Sequence, residues 1–421
     1  TNLTEGMMGY DTNPQYSKEG VLAWLSMAHN GNESDKNDLY ILKNGKRINL
    51  TAQWDNTIFS YRWSNDGKRI YLIAPTQGTE QLFVVDVYSK NTTPIQLTQG
   101  VFDVNSIVGQ AGDQLVVIRT DMNHAAELYT ISLKEKKKEY LSLTQLSHFN
   151  DEQYKQIAQC PIKERIIKTT DGKDMHAWVI YPPDFDPNKK YPTLLYCQGG
   201  PQSIVSQFYS FRWNFQLMAS QGYIVIAPNR RGLPGFGVEW NAQISGDWGG
   251  QPMRDYLSAI DDIAKEPYVD KDRLGAVGAS YGGYSIYYLA GIHQKRFKTF
   301  IAHCGVFNLE SMYGTTEELF FNNNEIGGAY WEERNAVAQK SYKEFNPIKK
   351  INNWDTPILI IHGGKDYRVP EEQGFQAFTA AQLKGIRSEL LYFPDENHWV
   401  LQPQNGLLWQ RTFFKWLKET L

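Results

Sequence analysis

A repeat near 46 residues runs through the first third of this chain, and it limits the possible folds more than any other feature. Asp38-Leu39-Tyr40, Gln81-Leu82-Phe83 and Glu127-Leu128-Tyr129 mark corresponding strand starts. The units close on Leu50-Thr51, Leu97-Thr98 and Leu143-Thr144, spaced 47 and 46 residues apart. The turn Ser17-Lys-Glu-Gly20 answers Ser64-Asn-Asp-Gly67, again 47 apart. Several short strands per unit at this period are the signature of propeller blades, with a β-sandwich of coincidental spacing as the alternative. Three units cannot close a ring, which typically takes four or more blades. The expectation is therefore that residues 1–150 are the C-terminal blades of a β-propeller whose earlier blades precede Thr1. The mixed-sign run Lys134–Glu139 reads as a solvated hairpin tip.

From about Lys163 the pattern alternates short apolar runs with helix-length segments. Thr193–Tyr196, Tyr223–Ala227, Leu274–Val277, Phe300–His303, Ile358–His362 and Leu390–Phe393 are apolar and bounded by Gly, Pro or Asn, as parallel strands buried on both faces are. Met253, Leu257, Ile260 and Ala264 fall at helical spacing before Pro267, and Glu371–Lys384 and Leu407–Leu417 also read as helices. Residues 151–421 are thus expected to form a doubly wound, mostly parallel α/β domain.

Within that domain Gly278-Ala-Ser-Tyr-Gly282 is a G-x-S-x-G motif between an apolar strand and a helix, as in an α/β-hydrolase. Glycine flanks the serine because the sharp strand-to-helix turn leaves no room for side chains. Ser280 is the expected nucleophile and needs a base oriented by a third group. The fold orders these as Ser, acid, His. Of the downstream histidines, His303 and His362 close strands, whereas His398 lies in the polar loop Pro394-Asp-Glu-Asn-His398 and is the expected base. Asp366, in the loop after Ile358–His362, is the expected acid, and Asp395 a decoy three residues from His398. The oxyanion hole would draw on the Tyr281 N–H and on Gly199 and Gly200 of the loop Gln198-Gly-Gly-Pro201.

Charge excludes some function classes. The 43 Lys and Arg against 46 Asp and Glu give a net charge of -3, with no basic footprint for nucleic acid. Three cysteines without a CxxC pair offer neither a disulfide framework nor zinc-ligand spacing. No apolar run approaches the ~20 residues of a membrane span. No metal, cofactor or nucleic-acid partner is expected, and compartment and oligomeric state, including a homodimer, are left open.

Taken together, Gly199-Gly-Pro201, Asn229–Gly237, Asp247-Trp-Gly249, Gly278–Tyr284, His362–Pro370 and Asn397-His398 resemble the prolyl oligopeptidase family of serine peptidases. Asp366-Tyr-Arg-Val-Pro370 is similar to its acylaminoacyl-peptidase branch, and Gln198–Trp248 with Pro394–Gln402 to its dipeptidyl-peptidases. The likeness implies a propeller capping an α/β-hydrolase and peptide substrates. It implies that Arg368 binds a substrate carbonyl and that the insertion before Ile358 lines a P1 pocket through Phe307, Tyr313, Phe320 and Trp331, with Val369 a further candidate. One departure is Gln198, where the family usually has His before Gly-Gly-Pro. The reading is an exopeptidase releasing dipeptides with apolar or small P1 residues from free N-termini. An acylaminoacyl-peptidase or oligopeptidase, a carboxylesterase, and a non-catalytic propeller scaffold are the alternatives.

Overall fold

The computed structural model describes residues 2–134 and 139–421, so most of the expected Lys134–Glu139 tip lies outside the described residues. The chain divides into two compact units. The first comprises Thr1–Ala158 with Ile204–Ser210 and Leu233–Ala242, and the second the remainder.

The first unit is built from three four-stranded antiparallel sheets. They contain β1 (Asp11–Tyr16), β2 (Leu22–Ser26), β3 (Asp38–Lys43) and β4 (Lys46–Asn49); β5 (Ser60–Trp63), β6 (Arg69–Thr76), β7 (Thr79–Asp86) and β8 (Ile95–Gln96); and β9 (Asp103–Ala111), β10 (Gln114–Asp121), β11 (His124–Ser132) and β12 (Leu143–Gln145). Each sheet pairs its strands in chain order, the up-and-down pattern of a propeller blade.

A repeated hydrogen-bond latch explains the sequence period. Thr51 Oγ1 accepts from Leu39 N at 2.9 Å and donates to Asp38 at 2.7 Å. Thr98 Oγ1 does the same with Leu82 N and Gln81, at 2.9 and 2.7 Å. In the third sheet the hydroxyl belongs to Ser147, which accepts from Leu128 N at 2.8 Å and donates to Glu127. The third closing pair is therefore Leu146-Ser147. Leu143-Thr144 lies inside β12, paired with Ile131 and Thr130. Residues between neighbouring sheets form the core. Leu39, Ile41, Ile70, Leu72 and Val85 are buried across the first two sheets, and Ile73, Leu82, Val104, Leu115 and Val117 across the second and third. Side-chain and backbone bonds tie the two excursions to this unit: Ser206 Oγ to Asp103 at 2.6 Å, Val238 N to Asp55 at 2.8 Å, and Asn241 Nδ2 to Ser34 O at 2.8 Å.

The second unit holds β13 (Ile162–Lys168), β14 (Asp174–Ile180), β15 (Tyr191–Cys197), β16 (Ile224–Pro228), β17 (Val269–Ala279), β18 (Thr299–His303), β19 (Ile358–Gly363) and β20 (Ser388–Phe393). They form one sheet in the order β13-β14-β16-β15-β17-β18-β19-β20, antiparallel through β13, β14 and β16 and parallel from β16 to β20. Strands β16, β18 and β19 are buried at every residue, the reason they read as unbroken apolar runs. Helix Gln251–Ile263 carries Pro252 in its first turn, where a missing N–H costs nothing.

Candidate active site

Four neighbouring parallel strands, β15, β17, β18 and β19, together with edge strand β20, end at one side of the sheet and carry the candidate triad and oxyanion groups there. Cys197 pairs with Gly278, Ala279 with His303, His303 with Ile361, and Gly363 with Phe393. The next residues along each strand therefore emerge side by side.

Ser280 sits between β17 and helix Tyr281–Ala290 at φ 61°, ψ -123°. A non-glycine residue with positive φ and such a ψ is strained, and the surroundings must hold it there. Its N–H donates to His303 O at 2.9 Å. A Cβ on Gly278 would lie 2.7 Å from Cys197 O, and one on Gly282 would lie 2.1 Å from the same oxygen. The turn is thus pressed against β15, and only glycine fits on either side. As the first helical residue, Tyr281 has an N–H with no acceptor inside the helix. Its side chain is buried, donating from the phenol to Trp248 O at 2.7 Å.

The Gln198–Pro201 loop lies directly against this turn. A Cβ on Gly199 would stand 3.0 Å from Ala279 O and 3.4 Å from Ser280 Cβ. Gln198, which replaces the family's usual His, is held by Tyr196, whose phenol donates to Gln198 Oε1 at 2.7 Å. Gln198 Nε2 also reaches Ser203 Oγ at 3.3 Å.

Asp366 is 3% exposed and fully engaged. Its Oδ1 accepts from Arg368 N at 3.1 Å and Val369 N at 2.9 Å, and its Oδ2 meets His398 Nδ1 at 2.7 Å. Burial alone would raise this carboxyl, but the hydrogen bond and charge of His398 outweigh it and hold Asp366 below its usual range. With Nδ1 donating, His398 presents Nε2 as its free basic nitrogen. Arg212 Nη1 donates to His398 O at 3.2 Å and so fixes the loop from behind. Glu396, 2% exposed, accepts from Leu401 N, Gln402 N and Asn405 Nδ2 at 2.9, 3.1 and 2.7 Å. Asp395 is exposed and pairs with Lys365 at 3.0 Å.

His362 and Cys304 are buried beside Asp366, and ligand-type atoms of the three residues lie within 4.8 Å of one another. Their protons are already committed. His362 Nε2 donates to Val369 O at 2.8 Å, and burial disfavours its charged form. Burial also lifts the Cys304 thiol well above its usual range, so it stays neutral. The trio braces the acid loop.

A cavity of about 540 Å³ opens over Asp366, Arg368, His398, Trp399 and Glu317. Arg368 Nε is 2.8 Å from Glu318 Oε1, and its guanidinium carbon is 5.2 Å from the centroid of the Trp399 ring. Among the expected pocket residues, Phe307 is 1% exposed, its ring centroid 5.6 Å from those of both Tyr287 and Trp354. It is a core residue. Val369 is buried as well, and its backbone serves Asp366 and His362. Tyr313 donates to Asn323 Oδ1 at 2.7 Å and packs 5.3 Å from Trp331, while Phe320 and Trp331 are each 61% exposed.

The segments that resemble the family contain Arg212, Glu396 and His362 but do not display their roles, which depend on partners that strand order and the loops bring together.

Comparison with known proteins identifies the family and the fold. The sequence pattern of the prolyl oligopeptidase family matches residues 209–421, and that of the dipeptidyl peptidase IV N-terminal region matches residues 24–174. The chain is 51% identical over 423 residues to dipeptidyl-peptidase 5 of Porphyromonas gingivalis, covering 100% of this chain and 60% of that protein. It is 33% identical to dipeptidyl-peptidase 5 of Schizosaccharomyces pombe, covering 97% and 59% respectively. The chain thus spans about 60% of the length of these relatives. Among solved structures, Pyrococcus horikoshii acylaminoacyl peptidase superposes with a TM-score of 0.83 at 21% identity, over 95% of this chain and 62% of that one. Porphyromonas gingivalis dipeptidyl peptidase 4 gives 0.76 at 21%, over 97% and 56%. Both share this chain's fold, an α/β-hydrolase domain preceded by propeller-type four-stranded sheets. This chain belongs to the prolyl oligopeptidase family.

Proposed function

We propose that this chain carries the catalytic machinery of a serine exopeptidase that releases dipeptides from free N-termini through an acyl-enzyme on Ser280. The observation that carries the reading is the buried 2.7 Å contact between His398 Nδ1 and Asp366. It lies on the same sheet end as a serine held at φ 61°. His398 Nε2 takes the Ser280 proton as Oγ attacks the scissile carbonyl, and Asp366 stabilises the imidazolium that results. The Tyr281 N–H and the Gly199 and Gly200 N–H groups receive the oxyanion. His398 then gives its proton to the leaving amine, and water hydrolyses the ester by the same route in reverse.

Dipeptide release rests on the relatives, which are dipeptidyl-peptidases at 51% and 33% identity. Cutting after two residues requires a fixed partner for the substrate's α-ammonium, because a desolvated charge is costly unless paired. Arg368 is proposed to hold a substrate carbonyl from the cavity wall, with Tyr313, Phe320 and Trp331 forming an apolar subsite. The test compares a tetrapeptide beginning with an apolar dipeptide against its N-acetylated twin, using the full-length protein. Faster cleavage of the free amine, with the dipeptide as first product, is expected. Faster release of an acetylated single residue from the blocked twin would reject the reading in favour of an acylaminoacyl-peptidase.

A further inference from the structure

Directly behind the proposed oxyanion hole lies Arg230, a guanidinium with no solvent exposure. Taking such a charge out of water costs several kcal/mol unless hydrogen bonds compensate it. The bonds that do so converge on one loop. Arg230 Nη2 donates to Gln198 O at 3.3 Å, and Nη1 donates to Pro201 O at 3.0 Å and Arg231 O at 2.7 Å. Nε donates to the Tyr256 phenol at 3.0 Å, and that phenol in turn donates to Gln198 O at 3.3 Å. The guanidinium carbon lies 4.4 Å from the centroid of the Tyr281 ring. Gly232 leaves room for this arrangement: a Cβ there would fall 2.8 Å from Arg230 Nη1.

Gln198 C=O and Gly199 N–H belong to one planar peptide unit, with the oxygen and the hydrogen on opposite edges. Two donors on the carbonyl therefore set the direction of the Gly199 N–H. They also polarise the unit, since hydrogen bonds in a chain strengthen one another. The same guanidinium stacks on Tyr281, whose N–H is the other proposed donor. We infer that Arg230 is a positioning residue for the oxyanion hole, aiming and polarising the Gly199 N–H through the Gln198 carbonyl. It touches no reacting atom.

This inference rests on the serine-peptidase reading, and its test separates the two. Arg230→Lys, Arg230→Met and Tyr256→Phe are made in the full-length protein, alongside wild type. Labelling of wild-type Ser280 by a fluorophosphonate tests the reading itself. Losing an oxyanion donor outright costs about 10²–10³ in kcat, so mis-aiming one should cost less. Arg230→Met is expected to lower kcat about 10- to 100-fold with KM little changed. Affinity for a peptide aldehyde, which forms a tetrahedral adduct with the serine, should fall by a similar factor. Affinity for the released dipeptide should not move. Arg230→Lys should recover only part of the loss, because an ammonium cannot span both carbonyls. Tyr256→Phe keeps Arg230 and removes one donor from the same carbonyl, so a smaller loss of the same kind is expected. It also keeps the test decisive if the Arg230 variants do not fold. Wild-type labelling with kcat and aldehyde affinity unchanged in Tyr256→Phe and in any folded Arg230 variant would overturn the inference, as would a loss confined to KM.

Discussion

Replacing Asp366 by Asn separates the acid's proposed catalytic task from its structural one. Oδ1 accepts the Arg368 and Val369 N–H groups, and an Asn carbonyl can keep both. Oδ2 is the partner of His398 Nδ1 at 2.7 Å, and there the amide presents N–H. His398 must then accept at Nδ1 and carry its proton on Nε2, which leaves no lone pair for the serine's proton. The imidazolium formed during acylation also loses its buried counter-charge. Together these effects should lower kcat by about 10⁴, or roughly 5.5 kcal/mol of barrier, with KM and the folded content little changed. Asp366 is held below its usual pKa. It therefore stays ionised throughout the neutral range, and an acid limb of the rate profile there cannot come from it. The assay is steady-state turnover of a dipeptidyl substrate by full-length Asp366→Asn, with circular dichroism to check folding. Asp395→Asn, which removes only an exposed pairing with Lys365, should stay within about fivefold of wild type, the most that a surface pair of about 0–1 kcal/mol could shift the rate. A folded Asp366→Asn enzyme losing less than tenfold, or a severe loss at Asp395, would refute the reasoning.

Three further outcomes follow from particular contacts. Arg368→Ala should lower kcat/KM for peptides by about one to two decades, the worth of a charge-assisted hydrogen bond, and spare small esters that lack the extra carbonyl; equal losses on both substrates would make Arg368 structural. His176, 4% exposed, has its pKa lowered by burial to about 4 from 6.5. The unfolded chain then binds the extra proton between those values, so stability present above pH 6.5 is lost as pH falls towards 4, by about 3 kcal/mol. Urea midpoints at pH 7 and 4.5 should differ less in His176→Gln than in wild type. Thr98→Val removes the hydroxyl that serves both Leu82 N and Gln81 and leaves a buried N–H unpaired, costing about 2 kcal/mol; an unchanged melting temperature would show the latch to be incidental.

Sequence displayed most clearly the features that a single strand or turn dictates. The fully buried strands β16, β18 and β19 were visible because a strand covered on both faces has no polar side to disguise it. Strand β13, Ile162–Lys168, shows no such run, because it is mostly exposed and carries Lys163, Glu164, Arg165 and Lys168. Ser280, Asp366 and His398 stand out as a candidate triad because each follows a strand at a position the fold prescribes. The third blade's closing pair misled because Leu143-Thr144 imitates the Leu-Thr signature, whereas Ser147 supplies the hydroxyl. Phe307 misled in a different way. An aromatic residue in a pocket insertion and one in the core look identical until packing is known, and its neighbours are Tyr287 and Trp354. Arg230 lies in the Asn229–Gly237 motif, but its role there is not legible in the sequence, because its targets are backbone carbonyls about 30 residues earlier in the chain.

The most direct test of the account is the site and rate of covalent labelling by a fluorophosphonate, which reacts with an activated serine, read by mass spectrometry of the digested full-length protein. The account predicts a single adduct on Ser280, absent in Ser280→Ala and slowed by orders of magnitude in His398→Ala. An adduct on another serine, or an active enzyme that carries none, would contradict it.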